Sequence, residues 1–222
     1  MSTDIESNVK GVRERIAVAC LRANRQPSEI TLIAITKTVA PETIEQAVRL
    51  GIRDFGENRV QETENKSIFY SQLRPHPTLH MIGHLQSNKV KTALRLCDVI
   101  HSVDSLKLAQ AIDRQADRKI PVLLEVNIAG EASKNGFSLA EIGQTFKTIS
   151  DLKNLELRGL MTVAPVADNP EEVRPFFRQL RELKERYNLK DLSMGMTEDF
   201  EIAIEEGATM IRIGRAIFGD RQ

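Results

Sequence analysis

Tryptophan is absent from this chain, tyrosine occurs twice, and aromatic side chains make up 5% of its 222 residues. A surface on which nucleic-acid bases stack has little to be built from. Charge of one sign is missing too: 31 Lys and Arg balance 31 Asp and Glu. That balance removes the field that draws nucleic acid or anionic lipid, so neither is expected as a partner. No apolar run approaches the ~20 residues of a membrane-spanning helix. The opening stretch MSTDIESNVKGVRERIAVAC carries charges throughout and has no apolar core of a secretory signal. Cysteine is scarce, with Cys20 and Cys97 far apart and outside any CxxC pattern. Two free thiols in a reducing, cytoplasmic compartment are therefore expected. Glycine-rich phosphate loops of the GxxxxGK[ST] or GxGxxG kind do not occur either.

What is present is a rhythm. Short apolar runs alternate with amphipathic stretches along the chain, whose length suits one large domain without disulfide or metal staples. A helix is predicted over residues 4–23, with Ile5, Val9, Val12, Ile16 and Cys20 on one stripe and a capping box between Thr3 and Glu6. Residues 30–36, ITLIAIT, read as a strand apolar on both faces, as a buried parallel strand should be. Pro41 opens a helix that Gly51 stops. Further strands are predicted in IRDFGEN, LHMIGH, DVIHSVD, PVLLEVNI, LELRGLMTV, DLSMGM and TMIRIG. The helices between them are placed at 60–71, 88–96, 105–118, 138–150, 170–186 and 198–206.

Eight strands with helical crossovers is the count of a (β/α)8 TIM barrel. An open doubly wound sheet usually carries a glycine-rich turn after its first strand, whereas TKTVAPET contains no glycine. Only nine residues follow Ile213, too few for a closing helix of full length, so the N-terminal helix is expected to cover that gap. One domain, 1–222, is expected.

In such a barrel the working face lies at the carboxyl ends of the strands. Lys37 follows the apolar run Leu32-Ile33-Ala34-Ile35, where an ammonium is costly to bury, and a depressed pKa would suit it to attack an aldehyde. The plain alternative, a lysine that snorkels to solvent, stays open from this position alone. Ser193 and Thr197 in SMGMTED precede a helix, and Gly214 follows one strand later. Hydroxyls and glycine amides after strands seven and eight form the usual barrel phosphate cradle, although both residues would also serve as helix caps. Arg212, on an apolar strand, needs a partner: a pyridine nitrogen, which would stay an unprotonated acceptor and leave the ring a poor electron sink, or a carboxylate such as Glu125 or Glu57. His80 and His84 flank a glycine on a strand and make an unconvincing zinc pair. His76 and His101 read as ordinary loop or strand-end residues.

The motifs AITKT, FGENRVQE, HMIGHLQSNK, SVD, VNIAGEASKNGF, GLMTVAP and LSMGMTEDFEIAIEEGATMIRIGRAIFG occur in that order along nearly the whole chain. As a set they closely resemble the YggS/PROSC family of pyridoxal phosphate-binding proteins, also called pyridoxal phosphate homeostasis proteins. The resemblance implies a single barrel of the alanine racemase N-terminal-domain type. It implies pyridoxal 5′-phosphate as cofactor, held as a Schiff base on Lys37. It implies a phosphate held by Ser193, Thr197 and the Gly214-Arg215 turn, Arg212 facing the pyridine nitrogen, and Asn58 beside the ring. Thr197 stands where the family more often has serine.

Alanine racemases also use a second domain and a tyrosine base from across a dimer. Here Tyr70 and Tyr187 both lie in helical stretches, so a second acid/base group is lacking. The expectation is a monomeric, non-catalytic protein of vitamin B6 homeostasis and amino-acid and keto-acid balance, with apo pyridoxal phosphate enzymes as recipients. The competing readings are a racemase-like enzyme with Lys37 as its only base, and a regulatory protein whose cofactor is structural.

Overall fold

The computed structural model describes residues 4–131 and 134–219. The eight expected strands are β1 (Thr31–Ile35), β2 (Asp54–Glu57), β3 (Thr78–Met81), β4 (Val99–Val103), β5 (Ile120–Glu125), β6 (Leu155–Met161), β7 (Asp191–Ser193) and β8 (Met210–Ile213). Each pairs in parallel with the next, and β8 returns to β1 with Thr31 opposite Met210, closing the barrel. Around it run α1 (Ile5–Arg22), α2 (Pro41–Arg49), α3 (Val60–Asn65), α4 (Ser67–Gln72), α5 (Val90–Leu96), α6 (Leu106–Gln115), α7 (Leu139–Ser150), α8 (Arg174–Arg186), α9 (Phe200–Glu205) and α10 (Arg215–Phe218).

Strand alternation sorts the apolar residues into two groups. Ile33, Ile35, Val99, Leu123, Met161 and Met210, contributed by five strands, form one cluster inside the barrel. Ala34, Ile211 and Ile213 point the other way and join the larger core between strands and helices. Arg212 therefore shares the inward face with Met210, and the same period of two carries from Ile33 and Ile35 on to Lys37.

The stripe predicted for α1 is buried at Ile5, Val9, Val12, Ile16, Ala19 and Cys20, and the helix lies against α9 and α10. Asn8 Nδ2 donates to the Ile217 carbonyl at 3.0 Å, and Arg15 Nε to Glu201 at 2.6 Å. The helix thus covers the gap beside the short α10. Its N-cap is Asp4, whose carboxylate accepts from the Ser7 amide at 3.0 Å; Thr3 lies outside the described residues.

Three predicted helices differ. The one expected over 60–71 breaks at Lys66 into α3 and α4, because Lys66 turns its amine inward to the Thr36 carbonyl (2.6 Å) and Glu57 (2.9 Å). Those expected from 88 and 170 each begin with a tighter turn, Ser87–Lys89 and Pro170–Val173. No described helix is long and apolar enough to cross a membrane. Cys20 and Cys97 are buried free thiols.

Candidate functional site

A cavity of about 1030 Å³ opens at the carboxyl ends of β1, β2, β7 and β8, and Lys37, Asn58, Thr197, Arg212, Gly214 and Arg215 all line it. Six of the seven residues singled out in the sequence thus meet on one wall.

Lys37 leaves β1 between two fixed neighbours. Thr36 is fully buried; its hydroxyl donates to Glu57 Oε1 at 2.9 Å and its carbonyl accepts from Lys66 Nζ. Tyr70 also donates to Glu57 Oε1, at 2.9 Å, so one buried carboxylate gathers three donors beneath the strand end. On the other side Thr38 adopts φ 61°, a left-handed conformation that costs a non-glycine residue roughly 1–3 kcal/mol. The Val39 amide returns to the Thr36 carbonyl at 3.0 Å across this turn, and Lys37 is carried on it, half-buried.

Asn58 follows β2 on the opposite side of the same wall. A Cβ on Gly83 would stand 2.2 Å from the Asn58 carbonyl oxygen, so the glycine of HMIG is what lets the two loops pass. Asn58 Oδ1 is buried and has no hydrogen-bond partner among the described residues. That is an acceptor waiting for a donor.

Arg212 is 4% exposed. Its Nη1 donates to Ser193 Oγ at 2.7 Å and its Nη2 to the Thr162 carbonyl at 2.8 Å. Burial pulls its pKa down to about 10, while the charges of Asp199 and Glu125 work in the other direction; it stays a cation at neutral pH. Among the described residues no carboxylate lies within 4.0 Å of it, and Glu57, one of the alternatives raised by the sequence, is engaged with Lys66. Nε–H and one N–H on each terminal nitrogen are left for whatever enters the cavity.

Ser193, expected at the phosphate, does not line the cavity. It is fully buried on β7, accepting from Arg212 and bonded to His101 Nδ1 at 2.9 Å. β7 ends at Ser193, and four residues further on Thr197 reaches the wall. The intervening turn is set by Gly195 at φ 92°, where a Cβ would stand 2.6 Å from Ala203 Cβ and 2.9 Å from Phe200 Cα. The N-cap position of α9 is Asp199 rather than Thr197. Gly214 opens α10, its carbonyl accepting from the Ile217 amide at 3.0 Å and the Phe218 amide at 2.9 Å, and Arg215 pairs with Glu198.

Other strand-end groups lie outside the residues that line the cavity. His84 Nδ1 and Asp104 Oδ2 stand 2.8 Å apart. Burial, reinforced by Asp104, pushes the Glu125 carboxyl up to about 7. Beneath the cavity His80 and His101 are bonded to each other, Nδ1 to Nε2, at 2.9 Å. A histidine inside each of the apolar runs LHM and VIHSV was the available signal.

Comparison with known proteins places these features in company. The family model described as alanine racemase, N-terminal domain, matches residues 8–222. A pyridoxal phosphate homeostasis protein of Aquifex aeolicus is 44% identical over 221 residues, covering 95% of this chain and 96% of that one. The protein of the same name from Escherichia coli K12 is 41% identical, covering 98% and 97%. Among solved structures, PipY of Synechococcus elongatus PCC7942 with PLP bound superposes with a TM-score of 0.81 at 37% identity, over 94% of this chain and 100% of that one. Alanine racemase from Corynebacterium glutamicum shares the fold alone, with a TM-score of 0.68 at 16% identity over 96% of this chain and 61% of that one.

Proposed function

This chain belongs to the alanine racemase N-terminal domain family, alongside the pyridoxal phosphate homeostasis proteins, and from that membership we propose that it binds pyridoxal 5′-phosphate and serves vitamin B6 homeostasis. The observation that carries the reading is the convergence of an amine, a buried guanidinium with donors to spare and an unpartnered amide oxygen on one cavity wall.

The residues fit the cofactor. Lys37 would hold the cofactor through its amine, the group that condenses with an aldehyde. Arg212 would face the pyridine nitrogen. As a fixed donor it would keep that nitrogen an acceptor and make the ring a weak electron sink. Asn58 accepts from a group beside the ring. Thr197 and the Gly214-Arg215 turn, which line the cavity together, would take the phosphate. Gly214 is open on the cavity side, where a Cβ would have only Ile35 at 3.5 Å. Ser193 serves by holding Arg212.

The role is non-catalytic. Two-base chemistry needs a second proton carrier opposite Lys37, and neither tyrosine of the chain supplies one. Tyr70 is buried with its hydroxyl on Glu57, and Tyr187 stacks on Phe146 at a centroid distance of 4.0 Å. Storage or delivery to apo-enzymes follows naturally from a cofactor held in an open mouth.

Spectrophotometric titration with pyridoxal phosphate tests this. Wild-type protein gains the visible absorbance of a lysine-bound cofactor, borohydride fixes it to the Lys37 peptide, and Lys37→Ala abolishes both. Protein that stays colourless sinks the reading. Exchange of amino-acid α-hydrogens for deuterium at an enzymatic rate, lost in Lys37→Ala, would overturn the non-catalytic part.

A further inference from the structure

Five polar side chains are joined end to end across the barrel. Asp54 Oδ1 lies 3.0 Å from His80 Nε2, and His80 Nδ1 lies 2.9 Å from His101 Nε2. His101 Nδ1 lies 2.9 Å from Ser193 Oγ, which accepts from Arg212 Nη1 at 2.7 Å. His80, His101, Ser193 and Arg212 are each at most 4% exposed, whereas the Asp54 side chain is 26% exposed at the start of β2. The line crosses from β2 through β3, β4 and β7 to β8.

We propose that Asp54, His80, His101 and Ser193 are positioning residues for Arg212, a single hydrogen-bonded chain that holds its guanidinium at the cavity floor and fixes the direction of every proton along the way. The inference rests on the reading that Arg212 faces the cofactor's ring nitrogen.

The direction follows from donor arithmetic. A guanidinium only donates and a carboxylate only accepts, so the chain runs from Arg212 to Asp54. Ser193, having accepted from Arg212, satisfies its own proton by donating to His101 Nδ1. His101 then carries its proton on Nε2 and donates to His80 Nδ1. His80 carries its proton on Nε2 and donates to Asp54. With the His101 proton on Nε2 every donor meets an acceptor; a charged His101 would make Nδ1 a second donor onto Ser193 Oγ and leave the serine proton without its acceptor. The groups around His101 agree: burial, then His80 on β3, Arg212 on β8 and Arg158 on β6 keep it well below the ordinary histidine pKa. Arg158 itself is paired with Asp191 at 2.8 Å.

Such a chain solves a problem for a buried cation. A carboxylate in direct contact would occupy the donors Arg212 needs for a ligand. Compensation arriving through three intervening side chains leaves them available.

Imidazole 15N spectra of the cofactor-free protein test the direction. His101 should be neutral at pH 7 with its proton on Nε2, facing an unprotonated His80 Nδ1, and loading with pyridoxal phosphate should shift the His101 Nδ1 signal. A proton on His101 Nδ1, or a charged His101 at pH 7, overturns the proposal. Ser193→Ala and His80→Phe should each raise the dissociation constant for pyridoxal phosphate about tenfold, and Ser193→Thr should restore it to within about twofold. Folded variants that bind like wild type would also overturn it, and if either variant fails to fold the wild-type spectra decide. Wild-type protein that binds no cofactor refutes the proposed function instead, while the 15N assignments still judge the chain.

Discussion

Lys66 Nζ meets Glu57 Oε1 at 2.9 Å beneath the end of β1, with side-chain exposures of 14% and 1%. The amine comes from the break between α3 and α4, so a helix is interrupted to bring a cation under the turn that carries Lys37.

Lys66→Met should therefore be far more damaging than a surface change. It strands a buried carboxylate, at a cost of about 3–5 kcal/mol, measured by urea unfolding. Adding Glu57→Gln should recover part of the loss. A cost below about 1 kcal/mol would show that the pair is not the support inferred from its burial.

Gly195→Ala and Gly11→Ala should have opposite signs. At Gly195 the new methyl meets Ala203 and Phe200 with the backbone at φ 92°, which should cost on the order of 2–3 kcal/mol and displace Thr197 from the cavity wall. Gly11 lies within α1 with nothing within 4 Å of a built Cβ, so alanine there should stabilise by about 0.5–1 kcal/mol. Thermal melts of the two proteins give the comparison.

Glu125 predicts a pH dependence. Burial and then Asp104 raise its carboxyl to about 7 in the folded chain, against about 4.3 when unfolded. Between those values the folded state binds the extra proton, so this group's contribution to stability falls as pH rises from about 4 through 7. Glu125→Gln removes that slope, and relative to wild type the variant should gain more melting temperature at pH 8 than at pH 5. Equal shifts at both values would disprove the assignment.

Removing residues 1–25 should abolish cooperative folding. The truncation strips away the six buried side chains of the α1 stripe, and burying each large one is worth about 1.5–3 kcal/mol against a total stability of roughly 5–15 kcal/mol. Circular dichroism and dye binding would register the loss, and adding back the helix as a separate peptide should reverse it. A truncated barrel that melts cooperatively near the wild-type temperature would show that the helix is dispensable.

The strands were readable because short apolar runs such as residues 32–35 and 122–124 recur between amphipathic stretches, and Lys37 because a charge directly after such a run is conspicuous. The placement of Ser193 was not. In the sequence its hydroxyl stands beside MGMT like a phosphate ligand, yet inward-facing positions at that level of β7 lie below the mouth, and the turn at Gly195 separates it from Thr197. His80 and His101 were unremarkable singly. They become a chain only because β3 and β4 are neighbours and both histidines face inward, a relation set by register. Lys66 escaped notice for a related reason: helical periodicity over 60–71 says nothing of a carboxylate below that competes for its amine.

The closure of β1 on β8 also governs how the protein is made. Thr31 and Met210 are partners separated by 179 residues (210 − 31), so at 5–20 residues per second the first strand waits roughly 10–40 seconds on the ribosome for its last neighbour. Through that interval one edge of β1, and the face of α1 that belongs on α9 and α10, stay uncovered. Nascent chains arrested before Met210 should be cut readily by protease in the α1–β1 region, and chains released after β8 should resist.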